Sequence, residues 1–431
     1  MTRILLVFAG MLALVGYAAA QQADVGVIEV GRPGQRQVPI ALPLPVGGTG
    51  ASKELWEVVR RDLELTGYFA VIDPVGYVEP AGAGLRPGEF DFGHWRTVGA
   101  AGLAKTSLTQ VDGRLRAEAY IYGVAAGEQL GAKAFSSAGT GVRSLGHRIA
   151  DAIMLALIGK RSFFDTKFAF VGDFSGNKEI WIADADGNGR RQITRNGSIN
   201  LKPRWSASGT AITFTGYAAG NPDAYVADIA KGAIRRVSAR AGVNIGAMLR
   251  PAGDAIALAL SSGGDTDIYT IDPYAGREIA RLTRSPGIDA SPAWSPDGSQ
   301  IAFVSERSGG PQIYVMNADG SAPHRVTFAG SHNTDPSWSP KGDRIAFVGR
   351  DGGFDVFTVR TDGGGMTRVT QGIGDNEDPS WSPDGEYLAF SSTREGGAHI
   401  WIASADGDFQ TKVTSGRGGY TNPNWSGHLS W

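Results

Sequence analysis

A polar residue recurs at intervals of 43 to 45 residues through the second half of this 431-residue chain. It stands five residues before the anchor of a repeated motif, and the six copies are Asn200, Asn244, Asp289, Asn333, Asn376 and Tyr420. Carboxamide side chains orient and hydrogen-bond a partner, but they rarely carry general acid–base chemistry. Two interpretations stay open: each residue caps its own turn, or the set forms a binding surface on loops of a rigid scaffold.

Motifs of common catalytic sites are missing from the chain. The sequence has no G-x-S-x-G, no H-E-x-x-H, no Walker loop and no G-x-G-x-x-G between a strand and a helix. It contains no cysteine, which excludes disulfides, thiolate catalysis and cysteine-based zinc sites. Its six histidines lack ligand spacing, and only His332, beside Asn333, is placed to act as a base. The sequence therefore favours binding over catalysis, and we expect no enzyme activity and no cofactor.

The recurring position belongs to a W-S-P-D-G repeat that predicts a β-propeller. Its anchors are Trp205, Leu249, Trp294, Trp338, Trp381 and Trp425. A repeat of this length with several short strands is typical of a four-stranded propeller blade. The apolar second strands begin at Phe168, Ile212, Ile256, Ile301, Ile345 and Leu388, which predicts six blades over residues 161–431.

The two ends of the repeat region complement each other. The strand at Phe168 has no tryptophan strand before it, and the strand at Trp425 has no blade after it. Pairing the two closes the propeller and leaves no long exposed sheet edge. In such a ring the recurring polar residues are expected at one mouth of the central channel.

Acidic residues raise the question of a metal ion. Asp184 to Gly189 matches the first half of an EF-hand loop, but the twelfth position is Arg195 where a bidentate glutamate is required. We therefore interpret this segment as a hairpin turn. The loops of the later blades are also acidic, at Asp335, Asp375, Glu377 and Asp378. A cation in or near the channel remains an open possibility.

Residues 21–160 lack the repeat and predict a small α/β domain in front of the propeller. The expected elements are helices and strands at 52–66, 69–72, 115–124, 129–136 and 143–158. The fold class is thus mainly β, a six-bladed β-propeller preceded by a small α/β domain.

The first twenty residues resemble a cleaved secretory signal peptide. Arg3 precedes an apolar run of 13 residues, and Ala18 and Ala20 provide small residues for cleavage after Ala20. The run is shorter than the roughly 20 residues that span a bilayer. We expect an exported protein. A formal net charge of −2 gives no sign of a basic face for nucleic acid.

The segment that follows the signal peptide, residues 21–34, alternates like a strand before glycine and proline interrupt it. Its strand-like residues are Asp24, Val25, Val27, Ile28 and Val30. The segment is either the first strand of the α/β sheet or a detachable arm that pairs with the sheet edge of a partner. The sequence leaves both interpretations open.

The combination of leader, small α/β domain, six W-S-P-D-G blades and a lone closing strand at Asn422–Ser426 resembles the TolB family. These proteins are the periplasmic propellers of the bacterial Tol–Pal system. The sequence departs from the pattern at Leu249, at S-A-S-G in the first copy, and at Val243, where the family favours histidine.

The resemblance implies a monomeric, non-enzymatic adaptor in the periplasm that reaches membranes only through its partners. It implies binding of the peptidoglycan-associated lipoprotein Pal by loops around Asn200, Asn244, Asp289, His332, Asn333, Asn376 and Tyr420. It also implies binding of the inner-membrane protein TolA by the arm at 21–34. Such a protein supports outer-membrane integrity and constriction during cell division.

Two other classes remain as alternatives. A secreted propeller hydrolase or lyase would need a histidine or paired carboxylates converging at the channel mouth. A carbohydrate-binding propeller would need exposed aromatic side chains there, and Tyr420 is the one clear candidate.

Overall fold

The computed structural model describes residues 31–47, 50–80, 83–137, 141–262 and 264–429. The expected signal peptide lies outside this part of the chain. So do the strand-like arm residues Asp24, Val25, Val27, Ile28 and Val30, and predictions about them stay predictions. None of the helices in the described ranges has the length and apolar character that a bilayer crossing requires.

The N-terminal domain is a five-stranded mixed sheet with helices packed on it. Its elements are β1 (Val38–Ala41), α1 (Ser52–Leu65), β2 (Phe69–Val71), α2 (Phe92–Thr97), β3 (Gly102–Val111), β4 (Arg114–Gly123), β5 (Glu128–Ser137) and α3 (Val142–Ile158). The strand order is β2-β1-β3-β4-β5. Strands β1, β2 and β3 pair in parallel, and β3, β4 and β5 pair antiparallel.

Both predicted long helices of this domain are confirmed, because their apolar residues recur on one face and that face is buried. Strands β1 and β3 and helix α2 were not predicted. Strand β3 contains Lys105, whose side chain is only 2% exposed and pairs with Glu79 at 2.6 Å. A buried ion pair of this kind interrupts the apolar pattern by which strands are recognised.

Six four-stranded sheets form the propeller, which confirms the predicted blade number. In chain order, blade I contains β6 (Lys167–Gly172), β7 (Glu179–Asp184) and β8 (Arg191–Gln192), and blade II contains β9 (Asn200–Trp205), β10 (Ala211–Gly216), β11 (Asp223–Asp228) and β12 (Ile234–Ser238). Blade III contains β13 (Asn244–Leu249), β14 (Ile256–Ser262), β15 (Asp265–Ile271) and β16 (Glu278–Arg281), and blade IV contains β17 (Asp289–Trp294), β18 (Gln300–Ser305), β19 (Gln312–Asn317) and β20 (His324–Arg325). Blade V contains β21 (Asn333–Trp338), β22 (Arg344–Asp351), β23 (Gly353–Arg360) and β24 (Thr367–Arg368), and blade VI contains β25 (Asn376–Trp381), β26 (Tyr387–Ser392), β27 (His399–Ser404) and β28 (Gln410–Lys412).

The last strand, β29 (Tyr420–Trp425), completes blade I, as predicted. It pairs antiparallel with β6, with Trp425 opposite Phe168. The indole Nε1 of Trp425 donates to Thr166 Oγ1 at 2.7 Å. Its ring lies 5.0 Å from the ring of Phe163, which belongs to the segment between α3 and blade I. The ring closure is therefore packed directly against the connection between the two domains.

Hydrophobic packing continues from the N-terminal domain into blades VI and I. One core cluster contains Leu63 of α1, Ile149 of α3, Tyr387 of blade VI and Trp425 of blade I. The N-terminal domain thus covers the place where the propeller closes, at the end of the blades that carries the W-S-P-D-G turns.

Candidate functional site at the channel mouth

The recurring polar residues begin the innermost strand of each blade, at the end of the channel opposite the W-S-P-D-G turns. This end is called the mouth below. All six side chains are buried, with at most 2% of their surface exposed: Asn200, Asn244, Asp289, Asn333, Asn376 and Tyr420. The expected exposed polar ring is therefore not formed by these side chains. Whether their loops contact a partner stays a prediction.

Three of the four asparagines, at positions 200, 333 and 376, donate to a third-strand side chain of the blade before. Asn244 instead donates to carbonyl oxygens of its own loop and accepts from Ser238 of the blade before. Asn376 Nδ2 donates to Asp355 Oδ1 at 3.0 Å. Asp355, the acceptor on the third strand of blade V, also receives Thr370 Oγ1 at 2.6 Å and Arg368 Nη2 at 2.5 Å. Asn333 bonds Gln312 Oε1 at 2.8 Å in the same way. We call this set of hydrogen bonds the latch.

Two copies depart from the asparagine pattern. Asp289 pairs with Arg307 at 3.0 Å and accepts from Ser285 Oγ at 2.8 Å, so that arginine compensates the extra carboxylate. Tyr420 is 1% exposed and lies in a stack with the rings of His399 and Phe170. Tyr420 therefore provides no exposed aromatic platform, and the carbohydrate-binding alternative loses its one candidate residue.

His332 is the exception among the predicted site residues, because its side chain is half-buried at the mouth. Its ring lies 6.0 Å from the ring of Phe354 in an edge arrangement. It forms no ion pair within the described ranges. A general base at this position would lack the carboxylate that usually orients a catalytic histidine.

The residues on either side of each latch residue form two contrasting halves of the mouth. On blades II, III and IV these positions are apolar, and we call them the apolar arc: Ile199, Leu201, Val243, Ile245, Ile288 and Ala290. On blades V, VI and I they are polar or glycine, and we call them the polar arc: His332, Thr334, Asp375, Glu377, Gly419 and Thr421. Residues two apart on a strand share a face, so each pair lies opposite its buried latch residue.

The rim of the mouth is held by main-chain hydrogen bonds. The carbonyl oxygen of the residue before the latch accepts a backbone N–H from the hairpin between the second and third strands. This bond occurs at Ile199 (2.9 Å), Val243 (3.2 Å), Ile288 (3.1 Å), His332 (3.1 Å) and Asp375 (3.1 Å). The side chains at the rim are thus presented on a rigid backbone.

Below the rim, every innermost strand contains a β-bulge at its third residue. The bulge residues all have positive φ, and they are Lys202, Gly246, Ser291, Asp335, Asp378 and Asn422. A non-glycine residue rarely adopts this conformation, so its repetition around the ring indicates a shared structural requirement.

Lys202 reaches across the channel. Its Nζ lies 2.8 Å from Asp335 Oδ1 on blade V and 2.6 Å from Asp378 Oδ1 on blade VI. Burial disfavours the ammonium, but the two carboxylates outweigh it, and the pKa of Lys202 is raised. Two of the four acidic residues that suggested a cation site therefore already hold an internal cation. The expectation of no cofactor, with a channel cation as the alternative, stays a prediction.

Glu377 differs from these two carboxylates. Burial raises the pKa of its carboxyl group, and the neighbouring Asp378 raises it further. Neither Glu377 nor Asp375 forms an ion pair within the described part of the chain. The polar arc therefore contains two acidic side chains whose charges remain available to a partner.

The EF-hand-like segment at Asp184 is a hairpin turn, as expected, and its carboxylates bind the N-terminal domain. Arg143 of α3 contacts Asp186 at 2.7 Å and Asp184 at 3.2 Å. His147 of α3 lies 3.6 Å from Asp184 and 2.7 Å from Asp62 of α1. Burial disfavours the imidazolium, but Asp62 and its neighbours outweigh this, and the pKa of His147 is raised to about 10. We call this charged cluster the seam.

Beside the seam lies a cleft of about 520 Å³ between α1 and blades VI and I. Arg61 of α1 crosses the interface next to it, donating to the carbonyl oxygen of Lys412 at 2.5 Å. The described end of the expected arm is also close to the propeller. Gly34 N donates to Gly67 O of the N-terminal domain at 3.0 Å. Arg32 lies 3.6 Å from Asp406 of blade VI, which is the contact with the propeller.

Sequence reasoning missed the two arcs and the lysine at the centre of the channel. The arcs could have been found by comparing the neighbours of the recurring polar residue, since their apolar or polar character changes only once along the chain, between Ala290 and His332. No sequence signal connects Lys202 with Asp335 and Asp378, because the three residues meet only through ring closure.

Comparison with known proteins places this architecture in one family. A family model described as the TolB beta propeller domain matches residues 155–429, and one described as the TolB amino-terminal domain matches residues 26–130. The Tol-Pal system protein TolB of Geobacter metallireducens is 41% identical over 215 residues, about half of each chain. That of Bordetella pertussis is 34% identical over 295 residues, 68% of this chain and 66% of the relative.

A solved structure shares the fold of the whole molecule. The crystal structure of TolB from Acinetobacter baumannii matches with a TM-score of 0.80 and 24% identity, covering 93% of this chain and 99% of that one. The propeller model alone matches well over half of the sequence and an N-terminal model precedes it, in the order of the two structural domains. The chain therefore belongs to the TolB family.

Proposed function

We propose that this protein is a periplasmic adaptor of the Tol–Pal envelope system, without catalytic activity of its own. It binds a Pal-like peptidoglycan-associated lipoprotein at the propeller mouth and a TolA-like inner-membrane protein through residues 21–34. In this role it links the layers of the envelope and supports outer-membrane integrity and constriction during cell division. It is exported by a signal peptide cleaved after Ala20.

The observation that carries the proposal is the apolar arc. Exposed aliphatic residues are held on a rigid backbone around the mouth, with Ile199 and Ile288 each 47% exposed. Loops on a rigid scaffold that display contiguous apolar side chains are typical of protein-binding surfaces. The family's place in the Tol–Pal system makes a lipoprotein of that system the natural partner.

The enzyme alternative has less support at the same mouth. The latch residues are buried in hydrogen bonds, and Asp335 and Asp378 are paired with Lys202. His332 has no orienting carboxylate in the described ranges. An active site would need convergent acid and base groups with access to substrate.

A pull-down from envelope extracts of the same bacterium tests both contacts. The bait is the mature chain from Gln21, compared with a variant that lacks residues 21–30 and keeps the docked Arg32 and Gly34. We expect the full bait to recover the lipoprotein and the TolA-like protein, and the shortened bait to recover the lipoprotein alone. Recovery of neither by the full bait would refute the adaptor role. Loss of both by the shortened bait would mean that the arm is structural.

A further inference from the structure

We propose that the mouth binds two kinds of group on one partner. Aliphatic side chains of the partner lie on the apolar arc, and a basic side chain faces Asp375 and Glu377. This inference rests on the proposed function, since it concerns the same surface and its lipoprotein partner. It adds the chemical character of the docking segment and its orientation. The orientation follows because blades II to IV present apolar side chains and blades V, VI and I present polar ones.

The apolar arc occupies three consecutive blades without a charged side chain at its six positions. Ile199 and Ile288 are about half exposed, while Leu201, Ile245 and Ala290 are partly buried against the blade cores. Covering a surface of this kind is favourable because apolar area leaves water, and the fixed backbone limits the entropy lost on binding.

The channel wall beneath the apolar arc has small residues at two of its three bulges. The bulge residues of blades III and IV are Gly246 and Ser291, the two smallest of the six. A Cβ atom at Gly246 would lie in ordinary van der Waals contact with Pro292 at 3.5 Å and Ser291 at 3.6 Å. On the opposite side, Asp335 and Asp378 are joined by the Lys202 side chain. The bulge side chains of the channel wall are therefore smaller on blades III and IV than on blades V and VI.

The polar arc supplies two carboxylates that form no ion pair within the described ranges. Asp375 and Glu377 flank the latch residue Asn376 on blade VI, and neither is ion-paired within the described residues. Lys202 is already shared between Asp335 and Asp378, at 2.8 and 2.6 Å. A partly buried carboxylate without a counter-ion is stabilised when a cation approaches. A lysine or arginine of the partner fits this place.

The test measures binding of the mature chain to the lipid-free soluble domain of the lipoprotein from the same bacterium. Ile288→Asp and Ile199→Asp probe the apolar arc, and Ile279→Asp is the matched control, because Ile279 is 56% exposed on the outer strand β16. We expect each arc variant to weaken binding at least about tenfold and the control to change it less than about twofold.

Asp375→Asn with Glu377→Gln probes the polar arc, and Asp362→Asn in an exposed hairpin of blade V is its control. The wild-type affinity should fall as sodium chloride rises from about 50 to about 500 mM, because salt screens an exposed charge pair. The double variant should bind about fivefold more weakly at low salt and show a flatter salt dependence. Unfolding curves check that every variant is folded.

The outcomes separate this inference from the proposed function. If the wild-type chain does not bind the lipoprotein, the proposed function fails, and the inference fails with it. If the wild-type chain binds but the arc variants bind equally well, or the controls lose as much, the function stands and the two-part surface is wrong. An unchanged salt dependence in the Asp375 and Glu377 double variant overturns the basic contact alone.

Discussion

At the scale of single residues, the recurring asparagine stabilises the contact between neighbouring blades. In three of the four copies its carboxamide donates to a side chain of the previous blade, as Asn376 does to Asp355, which is itself 0% exposed. A buried acceptor that loses its donor costs more free energy than an average hydrogen bond contributes. The recurrence of asparagine thus indicates a packing requirement, and the proposed recognition surface is formed by the residues beside it.

Replacing Asn376 by alanine should destabilise the fold by about 1–3 kcal/mol, because Asp355 loses a buried donor. The measurement is the free energy of unfolding in urea. Gln371→Ala is the control, since Gln371 is an exposed carboxamide in the same loop. Equal effects of the two substitutions would contradict the latch.

At the scale of elements, the β-bulge of each innermost strand decides what occupies the channel. The bulge shifts the register between the first and second strands of every blade, as between Glu377 and Ser380. The bulge residue varies in charge and size around the ring. The same backbone conformation therefore places a glycine at the channel wall on blade III and a lysine that crosses the channel on blade II.

Lys202→Met should destabilise the propeller by about 2 kcal/mol at pH 7, because Asp335 and Asp378 lose their shared cation. Burial opposes ionisation of Asp378, but Lys202 outweighs it and lowers the pKa of this carboxyl group. Stability from a lowered carboxyl pKa is present above the unfolded value and is lost as the pH falls toward the folded value. The difference between wild type and variant should therefore shrink in acid.

Urea unfolding at pH 7 and at about pH 3, below the carboxyl pKa of about 3.9 in the unfolded chain, measures this effect. Lys341→Met is the control, because Lys341 is an exposed lysine in a W-S-P-K-G turn. A Lys202→Met variant as stable as wild type, or a difference that grows in acid, would show that the lysine does not stabilise the ring.

At the scale of the whole molecule, the seam connects the N-terminal domain to the closure of the propeller. Helix α3 of the front domain contacts the hairpin of blade I through Arg143 and His147. Helix α1 contacts the last strand of blade VI through Arg61. The same end of the propeller contains Trp425, which completes the ring. Domain docking and ring closure therefore stabilise each other.

Stability should fall as the pH rises through the range in which His147 titrates. Its pKa is about 10 in the folded protein and near 6.5 in the unfolded chain. The folded state holds the proton more tightly, so the stabilisation is complete below about pH 6.5 and is lost as the pH approaches 10.

Unfolding free energies at pH 6, 8 and 9.5 test this prediction. The wild-type chain should lose several kcal/mol more over this range than His147→Asn, in which the group is absent. Parallel pH profiles of the two proteins would mean that His147 is not held as an imidazolium in the seam.

The propeller, its six blades and the strand that closes it could be predicted from the sequence alone. Each of these depends on a local signal: the spacing of the anchors from Trp205 to Trp425, the apolar second strands, and one unpaired strand at either end. The two long helices of the front domain followed from their apolar faces in the same way. Strand β3 did not, because its buried Lys105 is satisfied by Glu79, which is distant in sequence.

The role of the recurring residues depends on contacts that exist only in the folded ring. The residue type in the sequence does not show whether an asparagine side chain faces solvent or a buried aspartate, because its burial depends on the neighbouring blade. Lys202 and Asp378 are 176 residues apart, and they meet because closing the ring brings blades II, V and VI around one axis. The repeat therefore predicted where the mouth is, while the geometry of the closed ring determined which side chains are left there for a partner.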